Sequence, residues 1–132
     1  MNIKTNTDLG LFILRVGIGV SFCYFYGVPK LMAGPHMWKE IGGAMGKLGI
    51  HFVPVFWGFM AALSESLGAA LIALGIFTRT AAAFLAFTMI VAVVHHITAG
   101  DEIVKASHAI EAGLAFLALT AAGSGKYAIR PS

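Results

Sequence analysis

Three charged side chains stand where an apolar sequence can least accommodate them. Glu65 is the midpoint of a 25-residue stretch, 53–77, that holds no other charge, while Arg15 is alone in 9–28 and Glu111 alone in 106–122. Tyr26 closes the first of these stretches, His95 and His96 sit near the end of 80–99, and His108 precedes Glu111 by three residues. Carboxyl and imidazole groups accept and deliver protons. With a phenol, they also supply hydrogen-bond donors and acceptors to a bound molecule. Histidine with a carboxylate is a metal-ligand pair, and two histidines can ligate haem. Opposite charges in an apolar medium can also simply pair and fix how elements pack.

The elements that carry these groups follow from composition. The 132-residue chain is 58% hydrophobic and 11% charged, against about 25% charged in soluble domains, and its mean hydropathy is +0.85. The four stretches 9–28, 53–77, 80–99 and 106–122 are each long enough, at ~1.5 Å per residue, to cross a ~30 Å hydrocarbon core or most of it. Twelve of the fifteen charged residues lie outside them. The expected fold is all-α: a single polytopic membrane domain, 1–132, with four transmembrane helices in an antiparallel bundle.

Alternating helix directions set approximate depths. Arg15 lies ~5 Å from the middle of the first helix towards the termini, Glu65 is central, and Glu111 lies ~5 Å from the middle towards the long loop. His95, His96, His108 and Tyr26 fall further towards that loop. Small residues at helical spacing around Glu65 (Ala61, Ala62, Gly68, Ala69) turn it towards protein instead of lipid. Arg15, Gly19, Phe22, Tyr26 and Lys30 share one face of the first helix, and His108, Glu111, Ala115 and Ala118 share one face of the last. An Arg15–Glu65 ion pair is the simplest expectation for two opposite charges at neighbouring depths. Glu111 then has no cation left in the spans, so it and His108 become the groups expected to meet a ligand. Only one of the adjacent His95 and His96 is expected to point straight inwards. No metal site is expected, the alternative being a set of His95, His108 and Glu111.

Local signals bound the helices. Thr7 or Asp8 is a good N-cap for the first helix, and Pro29 should stop or bend it. Pro54 suits a first helical turn. The connection from the second helix to the third is short, Gly100-Asp101 should end the third, and Ser107 could cap the fourth. In the long loop, Trp38, Ile41, Met45 and Leu48 recur at helical spacing, which reads as a short amphipathic helix at the membrane interface.

Several function classes drop out. The net charge of +3 is scattered between spans, so nucleic-acid binding is excluded and lipid headgroups are the expected partners. Cys23 is the only cysteine, which excludes intrachain thiol–disulfide chemistry. Arg15 within the first apolar stretch argues against a cleaved signal peptide. Gly123-Ser-Gly-Lys126 fails as a phosphate loop, since position 120 is threonine and Lys126 is followed by tyrosine. Orientation is undecided, because Lys4, Arg79, Lys126 and Arg130 on one side balance Lys30, Lys39, Lys47 and Lys105 on the other.

The chain resembles the DoxX family of small bacterial and archaeal membrane proteins. The resemblance rests on Arg15-x3-Gly19 and Gly27-x2-Lys30-Leu31 in the first helix, Glu65-x2-Gly68, Leu74-Gly75-x2-Thr78-Arg79-x-Ala81-Ala82, and the terminal Gly123-x-Gly125. Tyr26 departs from it, since many relatives carry histidine before the glycine. The resemblance implies a quinone-linked or redox-associated subunit in the cell (inner) membrane with cytoplasmic termini. It also implies a partner redox subunit, because nothing in this chain carries electrons.

The leading expectation is therefore a redox-associated membrane protein that binds a quinone-like or other lipophilic molecule. Its expected site comprises Tyr26, Glu65, His95, His96, His108 and Glu111, with Arg15 bracing Glu65. Quinone would be a bound substrate, with haem or metal a lesser alternative. A small oligomeric transporter or channel, and a non-catalytic assembly subunit, are the competing readings. A homo-oligomer suits the small-residue faces Ala82-x3-Ala86 and Ala109-x3-Gly113.

Overall fold

The computed structural model describes residues 3–132, and among these there is no strand. Four helices are long and apolar enough to cross a membrane: α1 (Ile3–Ala33), α3 (Pro54–Leu74), α4 (Thr78–Thr98) and α5 (Ile103–Ala122). Between the first two lies a short helix, α2 (Pro35–Gly42), followed by a 3₁₀ segment, Gly43–Leu48. The membrane-spanning helical fold expected from composition is the fold observed.

Helix ends differ from the sequence signals in instructive ways. α1 is already helical at Ile3, the first described residue, ahead of Thr7 and Asp8, and Pro29 does not stop it. It runs on to Ala33 because Cys23–Gly27 forms a π-turn, with the Val28 amide bonded back to the Cys23 carbonyl. The wider turn absorbs the ring and missing amide of the proline, which would otherwise break an α-helix. α5 begins four residues before Ser107, whose hydroxyl instead bonds back to the Val104 carbonyl. Gly75, left-handed at φ 76°, closes α3 in a Schellman motif: Ile76 N–H bonds to Leu71 O and Gly75 N–H to Ile72 O. Only Ile76 and Phe77 then separate it from α4.

The core is made of small residues that let helices approach. Ala69 and Ile72 of α3, Ala81, Ala82, Leu85, Ala86 and Met89 of α4, and Ala109, Ala112, Phe116 and Leu119 of α5 are buried together with Phe22. A Cβ on Gly19 would lie 2.6 Å from the Ala69 carbonyl oxygen, so α1 crosses α3 with no room for a side chain. A Cβ on Gly58 would overlap the Trp38 carbonyl, and one on Gly42 the Pro54 carbonyl. These two glycines bring α2 flat against the start of α3. Trp38 and Ile41 of α2 are half-buried, and Met45 of the 3₁₀ segment is buried.

Candidate functional site

Arg15 and Glu65 are both buried, yet they do not pair with each other. Glu65, 2% exposed, accepts a 2.5 Å hydrogen bond from Lys30 Nζ. Among the described residues Arg15 binds no carboxylate. Its Nε donates to the Ser124 carbonyl at 2.9 Å, Nη1 to the Ile72 and Ala73 carbonyls at 3.1 and 3.3 Å, and Nη2 to the Tyr127 carbonyl. The expected pair is thus replaced by two separate devices. The guanidinium sits against the C-terminal end of α3, where the last carbonyls concentrate negative partial charge. It ties that end to the segment after α5. The same segment is held by Ile129 N–H to Leu74 O, by Arg130 N–H to Gly75 O, and by Lys126 N–H to the Asp8 carboxylate.

Lys30 reaches Glu65 because α1 continues past Pro29. The π-turn of α1 lies directly on a second π-turn, Ser64–Gly68, in α3. A Cβ on Gly27 would fall 2.2 Å from the Glu65 carbonyl oxygen, so only glycine permits this approach. π-Turns recur at functional sites, and here each carries or adjoins one member of the ion pair. The sequence signal for Lys30 was its place on the same face as Arg15, Gly19, Phe22 and Tyr26.

The ion pair forms part of the wall of a cavity of about 450 Å³ between α2, the 3₁₀ segment, α3 and α4. Ile41, Met45, Met60, Phe84, Phe87 and Ala92 supply apolar wall, and Lys30, Glu40, Ser64, Glu65, Thr88, His95 and His96 the polar groups. Both adjacent histidines reach the cavity, where only one was expected to face inwards. His96 is fixed by a 2.9 Å hydrogen bond between Nδ1 and Asp101 Oδ2, beyond the end of α4. That bond, with help from Lys105 and the histidine charges and against some desolvation, holds the Asp101 carboxyl below its ordinary range. The Ser64 and Thr88 hydroxyls bond back to the Met60 and Phe84 carbonyls of their own helices. Phe56, Phe84 and Phe87 are about half exposed, so the rim of the cavity is apolar along the membrane-spanning helices.

Tyr26, His108 and Glu111 do not line this cavity. The buried stripe of α5 is Ala106, Ala109, Ala112, Gly113, Phe116 and Leu119, which turns His108 and Glu111 outwards, and both are exposed. His108 stacks on Phe22 at 5.6 Å between ring centroids and lies 4.8 Å from the Tyr26 ring. The expected ladder from Glu65 to Glu111 is therefore split between two sides of the bundle. Small apolar residues on α5, not its polar ones, decided which face packs. Among the described residues no three of His, Cys, Asp or Glu come together as a metal-ligand set, so the alternative of His95, His108 and Glu111 is not assembled.

Residues 10–97 match a family model described as DoxX, a stretch that includes the two π-turns, the ion pair and both cavity histidines. No curated protein and no solved structure matches the chain.

Proposed function

The chain belongs to the DoxX family of membrane proteins, and from that premise we propose that it is a redox-associated subunit holding a quinone-like lipophilic molecule in the cavity beside Lys30 and Glu65. One observation carries the reading: a ~450 Å³ space, apolar over most of its wall, includes in that wall an ion pair with a buried carboxylate and two histidines. Ligand cavities of ~300–1,000 Å³ with mostly apolar lining and a few placed polar groups are the usual form of small-molecule sites. The half-exposed phenylalanines of the rim suit entry from the bilayer. Lys30 and an imidazole offer hydrogen-bond donors to carbonyl oxygens, and Glu65 is positioned to take or return a proton through Lys30. A quinone supplies the redox couple when bound, and electrons come from a partner subunit.

The same reading places the protein in the inner membrane with cytoplasmic termini. Withdrawal of Lys30 into its ion pair supports this orientation. It leaves Lys39, Lys47 and Lys105 on the long-loop side against Lys4, Arg79, Lys126 and Arg130 on the side of the termini. The test is to isolate the protein in lipid nanodiscs without stripping its lipids and to quantify quinone by extraction. Wild type should retain quinone near one per chain. Ala92→Phe, which fills the cavity, and Lys30→Met should each lose most of it while keeping the helical circular dichroism. Quinone absent from wild type, or retained by Ala92→Phe, refutes the assignment.

A further inference from the structure

Glu111 stands eight residues into α5, ~12 Å from its start at ~1.5 Å per residue. Its side chain is exposed on the bundle surface at that depth, and among the described residues none hydrogen-bonds or pairs with it. A carboxylate side chain is too short to reach the interface from there. A carboxyl open to hydrocarbon is strongly disfavoured, and such groups normally face protein or a water-filled space. The cavity cannot serve, because it lies between α2, α3 and α4 and Glu111 is not part of its wall. One turn away on the same face is His108, which is also exposed, stacks against the Phe22 and Tyr26 rings and, among the described residues, has no hydrogen-bond partner. Further along, Ala115 and Ala118 leave that face flat.

From this we infer that the α5 face bearing His108 and Glu111 is a homodimer interface within the membrane, in which His108 of each copy hydrogen-bonds Glu111 of the other. The chemistry of the face is self-complementary. A twofold axis along the membrane normal sets both copies at equal depth, and the donor of each then lies one helical turn from the acceptor of the other. That gives two reciprocal bonds, the pattern of an isologous interface. Ala115 and Ala118 allow the two α5 helices to approach closely, as small residues do where membrane helices associate. The interface lies apart from the cavity, so quinone binding and dimerisation can fail independently.

Reciprocal exchange of the two residues tests the inference. In membranes, a Cys23→Ala background carrying Ala118→Cys should form a disulfide-linked dimer under mild oxidation. Ala83→Cys, exposed on α4, should not. By native mass measurement in nanodiscs, wild type should be dimeric. His108→Glu alone and Glu111→His alone should each weaken the dimer about tenfold or more, and the double exchange should restore it. A monomeric wild type, equal cross-linking at both cysteine positions, or a folded double exchange that stays monomeric overturns the interface. If the exchanged variants do not fold, the cysteine pair alone decides.

Discussion

Removing either partner of the Lys30–Glu65 pair should destabilise the fold, and removing both should largely restore it. In Lys30→Met, Glu65, 2% exposed, loses the one cation that pairs with it among the described residues. Breaking a buried pair from one side costs ~3–5 kcal/mol. Lys30 retains about a third of its side chain exposed, which allows some compensation, so the expected loss is nearer ~2–3 kcal/mol. Glu65→Leu strands a cation that can reorient towards the cavity, and it should cost less. The double variant Lys30→Met/Glu65→Leu should lie close to wild type, because replacing a buried pair by apolar side chains is often neutral. With the double variant near wild type, the coupling is the sum of the two single losses and should therefore be ~3 kcal/mol or more, the upper end for directly interacting residues. The assay is reversible unfolding in mixed micelles, completed as a double-mutant cycle. A parallel cycle on Arg15 and Glu65 should give less than ~0.5 kcal/mol, since they share no partner. If the coupling instead appears between Arg15 and Glu65, the two devices have been misassigned.

Other expectations follow from single contacts. Gly27→Ala should lower stability by at least ~1–3 kcal/mol and empty the cavity, because its Cβ must displace the Glu65 backbone; melting and quinone extraction measure both effects. Arg15→Lys should fail to replace Arg15, since one ammonium cannot serve carbonyls on two separate segments as the planar guanidinium does. Faster amide exchange at Ile129 and Arg130, which pair with Leu74 and Gly75, reports the release. The Asp101 carboxyl is held below its ordinary range, so its contribution is present above the unfolded-state value of ~3.9. It is lost as pH falls through the lower folded value. Amide exchange at the end of α4 should therefore rise under strongly acid conditions in wild type and show no such step in Asp101→Asn.

The spans were legible because hydrophobic length is a direct physical requirement of the bilayer, and Pro54 and Gly75 mark the ends of α3 with plain stereochemistry. Glu65 was legible as a special residue for the same reason. Its partner was not. Pro29 reads as a stop or a bend, and nothing in the residue types between Cys23 and Gly27 announces a π-turn that carries the helix through it. The partners of Arg15 were hidden for a different reason: they are main-chain carbonyls, which every residue has, brought in by a segment of ordinary composition after α5. On α5 the polar residues suggested an inward face, but burial followed the Ala-Gly-Phe stripe. In a membrane, close packing of small residues determines helix rotation, and a lone carboxyl can be left for another molecule to cover.

The two apposed π-turns also bear on what lengths of chain can form this site. A π-turn holds one residue more than the α-helix uses for the same arc. A chain shortened by one residue within Cys23–Gly27 can revert there to an ordinary helix and still present its lysine to the carboxylate. A chain lengthened by one has no slack left to absorb the addition, and Lys30 would swing out of line with Glu65. Deletions and insertions at this point, alike in size, should thus be unequal in effect, and homologous chains should differ in length there in one direction only.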